Sequence, residues 1–153
     1  MAFRERVLWA SLAATLGVWG WYFWKVVRAM NIGLLNPGNL VIHFISAVIM
    51  IAIIMSAVAI LLAVMAPKAA GTPADDRERE IERAAYRPGY VVLSLCVWVT
   101  VIVVPWWLDA PRPLGLTPAV AASILFSNAL LFAIVAGEVA RTLAQIIRFR
   151  RGA

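Results

Sequence analysis

The sequence predicts an all-α integral membrane protein: a four-helix bundle made of two helical hairpins, with a short cytoplasmic helix between the second and third spans. Three observations lead there. Of the 153 residues, 63% are apolar and 14% charged, with a mean hydropathy of +0.87, whereas a soluble domain is typically about 45–50% apolar and about 25% charged. Four apolar stretches, at 7–30, 40–66, 90–108 and 117–140, each reach the roughly 20 residues a helix needs to cross about 30 Å of hydrocarbon. No stretch alternates apolar and polar residues as a membrane strand would, and backbone donors in hydrocarbon must be satisfied within the segment, so the spans are helical. Residues 1–153 then form a single transmembrane domain.

The first stretch follows Arg4 and Arg6, as the apolar core of a signal peptide would. It ends, however, in Trp19, Trp21, Tyr22, Phe23 and Trp24, where a cleavage site needs small residues. It is read as a retained helix with an aromatic cluster at its outer end, and Lys25 and Arg28 just beyond can snorkel to water. Asn36-Pro37-Gly38 is a turn signature before the second span, and Pro111, Pro113, Gly115 and Pro118 interrupt helix before the fourth.

Between spans two and three lies the one long polar segment. Thr72-Pro73-Ala74-Asp75 has a hydroxyl, a proline suited to a first helical position and a carboxylate three residues after the Thr, a capping-box-like start. A helix over 73–86 is expected, ending there because Arg87 precedes Pro88. Its acidic front and basic end complement the helix dipole. Like-charge neighbours such as Asp76 with Glu80 and Arg79 with Arg83 call for partners elsewhere. After the fourth span, 141–151 keeps helical periodicity, as a cytoplasmic continuation or an interfacial helix that can pack on Ile81, Ala84 and Ala85.

Charge fixes the expected orientation. Eleven of the fourteen Lys and Arg residues fall at the N-terminus, in the 67–89 loop and after the fourth span, against Lys25, Arg28 and Arg112 on the other side. The positive-inside rule then puts both termini and the long loop in the cytoplasm, in a multi-pass protein of an inner membrane. Because the loop pairs its five basic residues with five acidic ones, nucleic acid is not an expected partner. The bilayer is, with Arg148, Arg150 and Arg151 near anionic head groups.

Reactive side chains are scarce. His43 and Cys96 are the only His and Cys, too few for a zinc site of about four ligands or for bis-His haem ligation, and no phosphate-loop, nucleophile-elbow or metalloprotease pattern occurs. No enzymatic activity, metal or cofactor is expected, and Cys96 reads as a packing residue. The candidate intramembrane polar residues are Asn128, Glu138 and His43. Each has a plain structural reading: Asn128 as a hydrogen-bonding bridge between helices, Glu138 as the partner of Arg141, and His43 as an interfacial imidazole. Ala129, Ala133 and Gly137 form a small-residue stripe that permits close helix approach. The candidate interaction surface is Asp75, Asp76, Arg77, Glu78, Arg79, Arg83 and Arg87.

The run Asp75-Asp76-Arg77-Glu78-Arg79-Glu80-Ile81-Glu82-Arg83-Ala84-Ala85-Tyr86-Arg87-Pro88-Gly89-Tyr90 resembles the loop of a family of small bacterial four-helix membrane proteins. Those loops begin acidic-acidic-Arg-acidic, and reach the third span through Ile, Ala, Arg, Gly and Tyr. Asp76 and Glu78 exchange one carboxylate for another relative to that pattern, and Pro88 is an added rigid residue. The resemblance carries no assigned activity. It implies a gene neighbourhood with a small helix-turn-helix regulator, and hence a membrane-bound antagonist or sensor. From the residues, the expected role is a non-enzymatic interaction, sensory or regulatory module that contacts a cytoplasmic partner or a second copy of itself. The alternative is a small oligomeric transporter or channel using Asn128, Glu138 or His43.

Overall fold

The computed structural model describes residues 3–32, 36–67, 75–109 and 117–151. Over these residues the chain is all-α, with four long helices: α1 (Phe3–Asn31), α2 (Pro37–Met65), α3 (Asp76–Asp109) and α4 (Pro118–Arg151). Three of them, α2, α3 and α4, are long and apolar enough to cross a membrane. α1 has the length, at 29 residues, but its charge-free 7–24 stretch is diluted by four Trp, one Tyr and two Gly.

α3 and α4 make the most extensive helix contact, and α1 packs on both α2 and α4. The α1–α2 contact is aromatic at one end, where Trp21 meets His43 and Trp19 meets Phe44, with ring centroids 5.8 and 6.1 Å apart. Behind these rings Val18, Tyr22, Val26, Leu40 and Ala47 form a buried cluster. α2 buries only Leu40 and Ala47, so nearly all of its uniformly apolar surface is left for lipid or another helix.

Three sequence expectations change at the helix ends. Asn36-Pro37-Gly38 is the start of α2 rather than a free turn: Asn36 Oδ1 accepts from the Gly38 and Asn39 amides at 2.9 and 3.4 Å, and Pro37 occupies the first turn. An Asn cap satisfies amides that have no partner inside the helix, and a proline there loses nothing.

The capping box of α3 lies three residues later than expected. Asp75 Oδ1 accepts from the Glu78 amide at 2.6 Å, and Glu78 Oε2 accepts from the Asp75 amide at 3.2 Å. This reciprocal pair closes both ends of the first turn. Thr72, Pro73 and Ala74, the expected start, lie outside the described residues, as do Pro111, Pro113 and Gly115.

The largest correction concerns Pro88. The expected break after Tyr86 does not occur, and α3 runs unbroken from the charged segment into the apolar one, through Pro88 and Pro105. Pro88 has no N–H to offer the carbonyl four residues back, ordinarily a helix-breaking defect. Here the turns on either side are clamped, because Ile81, Ala85 and Gly89, spaced four apart on one face, are all buried. Tertiary packing outweighs the local preference. α4 likewise continues without interruption to Arg151, so residues 141–151 extend the fourth helix rather than lying across it.

Candidate functional site

The charged segments of three helices meet at one end of the molecule. Arg4 of α1 pairs with Glu78 of α3, Nε to Oε2 at 2.7 Å, and Glu5 of α1 pairs with Arg150 of α4, Oε1 to Nε at 3.1 Å. The Arg150 guanidinium also lies 5.2 Å from the Trp9 ring centroid, a geometry that adds attraction between cation and ring. Glu5 is only 8% exposed, so its charge is balanced locally instead of by water. Glu78 thus caps its own helix and binds a second one.

Sequence reasoning missed Glu5, Trp9 and Arg4 as a group. The available signal was that Glu5 is the one acidic residue before the first span, an unusual position among Arg4 and Arg6.

The other loop residues project outward. Asp76, Arg77, Arg79, Arg83 and Arg87 are exposed, while Ile81 and Ala85 on the opposite face are buried. By helical spacing, Asp76, Glu80, Arg83 and Arg87 form a stripe about half a turn from the Ile81–Ala85–Gly89 face. Asp75 commits its carboxylate to the cap.

Where this segment enters the apolar part of α3, the helices almost touch. A Cβ built on Gly89 would stand 3.0 Å from the Gly137 carbonyl oxygen and 3.0 Å from Arg141 Cβ, and one built on Gly137 would stand 3.0 Å from Leu93 Cβ. Ala133, one turn before Gly137, is fully buried. The expected small-residue stripe therefore works within the chain, at the crossing of α3 and α4.

Beside the crossing is a groove of about 640 Å³, walled by Tyr86, Arg87, Tyr90, Leu93, Glu138 and Arg141. Glu138 and Arg141 form the expected salt bridge, and the Arg141 guanidinium lies 5.0 Å from the Tyr86 ring centroid. Its Nε is shut off from solvent and has no acceptor.

Asn128 joins two helices. Tyr22 Oη donates to Asn128 Oδ1 at 2.8 Å, and Asn128 Nδ2 donates to the Ile124 carbonyl at 2.8 Å. Tyr22 departs from the aromatic-belt expectation: it is 3% exposed and belongs to the interior cluster. Lys25 and Arg28 lie 5.5 and 5.4 Å from the Trp24 ring centroid.

A second groove, about 470 Å³, runs past this bond between α2 and α4, lined by Leu40, Val41, Phe44, Ser127, Asn128 and Leu131 among others. His43 lines neither groove; its Nδ1–H donates to the Asn39 carbonyl and its ring rests on Trp21. Each intramembrane candidate is thus engaged with its own neighbour. The described structure does not bring Asn128, Glu138 and His43 to a common path.

Among the described residues no group of three or more His, Cys, Asp or Glu side chains could hold a metal ion. Fold and site together describe a helical chain in which α2, α3 and α4 are apolar enough for a bilayer and α1 is tied by ion pairs to α3 and α4 at one end. Neither a known family nor a curated protein nor a solved structure matches the chain.

Proposed function

We propose that the chain is a four-span protein of the bacterial inner membrane with both termini cytoplasmic, a non-enzymatic interaction module whose role is sensory or regulatory. Its contact surface is the exposed stripe of α3, and its occupant is a cytoplasmic protein partner or a second copy. The observation that carries this reading is the convergence of charge: Arg4–Glu78 and Glu5–Arg150 join three helix ends, and those ends hold most of the chain's basic residues.

α1 fits as the fourth span by length, since 29 residues extend about 43 Å as a helix, more than the hydrocarbon thickness. The charged part of α3 is rigid because it continues the membrane helix, so Asp76, Glu80, Arg83 and Arg87 are held out on a fixed post. A rigid mixed-charge stripe favours recognition by charge complementarity, with like-charge mismatches rejecting wrong partners.

The alternative, an oligomeric transporter or channel, draws on the groove beside Asn128. Its residues of choice are separately bonded, which weighs against a shared pathway.

A photocrosslinking residue at position 83 in cells tests the proposal, with one at lipid-facing position 49 as control. A protein adduct at 83 only, abolished by Arg79→Glu with Glu80→Arg, is expected. Adducts that persist unchanged in that variant, or no protein adduct at 83, would oppose a docking role.

A further inference from the structure

The groove beside the α3–α4 crossing has the shape and charge of a lipid site. Its upper wall carries two cationic side chains, Arg87 and Arg141, and one anionic one, Glu138, leaving one net positive charge. Tyr86 and Tyr90 stand at the rim, 53% and 70% exposed, amphipathic rings of the kind that sit at head-group depth. One turn deeper the lining is Leu93 and Ile134, and the apolar parts of α3 and α4 continue from there. Gly89 and Gly137, where α3 and α4 come into closest contact, also line it.

Arg141 is already held for ligand binding. Glu138 takes one terminal nitrogen and the Tyr86 ring centroid lies 5.0 Å from the guanidinium carbon, which fixes the side chain beside the groove. Arg87 is exposed and lines the same groove. Guanidinium groups match phosphate in a forked, charge-assisted geometry.

We infer that this groove binds an anionic glycerophospholipid, its phosphate between Arg87 and Arg141 and one acyl chain along Leu93 and Ile134. The inference rests on the proposal that this end of the bundle lies at the cytoplasmic surface of the membrane. A basic pocket between helices on that side is the kind of place where anionic head groups bind.

The test is native mass spectrometry of the full chain released from nanodiscs of equal phosphatidylglycerol and phosphatidylcholine. Wild-type protein should retain phosphatidylglycerol in preference, with Arg87→Gln lowering that preference roughly fivefold and Arg87→Gln with Arg141→Gln roughly thirtyfold. Arg87→Lys should restore part of it, and Arg79→Gln with Arg83→Gln, exposed and outside the groove, should leave it nearly intact. Because Arg87 is exposed, its variants keep the test valid even where Arg141→Gln fails to fold.

Lipid retained without head-group preference would overturn the site while leaving membrane insertion standing; no retained lipid of either class would overturn the membrane placement as well. Equal losses in the Arg79/Arg83 control would reduce the effect to diffuse charge and refute the groove. Inorganic phosphate competing off the phosphatidylglycerol at millimolar concentration would show that the acyl chain contributes nothing, and would also refute it.

Discussion

Replacing Gly137 tests the α3–α4 crossing, on which both the rigid charged post and the groove depend. A methyl group there would stand 3.0 Å from Leu93 Cβ and 3.2 Å from the Gly89 carbonyl oxygen, whereas non-bonded carbons prefer about 3.5–4.0 Å. The helices must part by about 0.5–1 Å, and a gap of that size forfeits a quarter to a half of the dispersion well for each contact along the seam. Overpacking of this kind costs about 1–3 kcal/mol. Ala gains up to about 1 kcal/mol over Gly in helix propensity. Gly137→Ala is therefore expected to destabilise by about 0.5–2 kcal/mol, and Gly137→Leu by more than about 3 kcal/mol.

In a membrane, close packing and hydrogen bonds carry helix association, because lipid is as apolar as the side chains it replaces. The loss should be visible by titrating detergent-solubilised protein with sodium dodecyl sulfate and following tryptophan fluorescence. Gly89→Ala opens the same seam, so the double variant should fall short of the summed single effects by about 0.5 kcal/mol or more. Unchanged stability of Gly137→Leu, or strict additivity of the two Ala variants, would refute the close approach.

Other expectations follow from single contacts. Tyr22→Phe removes the hydroxyl that binds Asn128 and should cost about 0.6–1.7 kcal/mol in the same titration. Pro88→Ala restores an N–H inside a continuous helix and should stabilise the protein by up to about 3 kcal/mol; a chain broken at Pro88 would gain nothing. Asp75→Ala removes half of the capping box and should cost about 1 kcal/mol, read as lost hydrogen-exchange protection over residues 76–80. A double-mutant cycle on Arg4 and Glu78 should give a coupling of at most about 1 kcal/mol that shrinks from 0.1 to 1 M salt, since both groups are partly exposed.

Much of the helical layout was legible because a bilayer leaves few alternatives. The four apolar stretches became four helices, the pairing of Glu138 with Arg141 followed from i,i+3 spacing, and Asn128 made the interhelical hydrogen bond its polarity demanded. What local rules could not give was anything decided by a distant partner. Pro88 reads as a stop in isolation, and only the buried Ile81–Ala85–Gly89 face against α4 reverses that. Tyr22 looks like a belt residue among Trp19, Trp21 and Trp24, yet its position in the turn faces Asn128. Glu5 has no partner within helical reach that would mark it, because Arg150 is 145 positions away.

The central claim is that four helices cross the membrane with the N-terminus, the charged part of α3 and the C-terminus on the cytoplasmic side. Cysteine accessibility in a Cys96→Ser background measures this directly. Spheroplasts treated with a membrane-impermeant maleimide should label Ile32→Cys and Thr117→Cys, and should label Arg6→Cys, Glu80→Cys and Arg151→Cys only after permeabilisation. Labelling of position 6 on the same side as position 32 would remove α1 as a span, and labelling of positions 80 and 151 from outside would invert the proposed orientation.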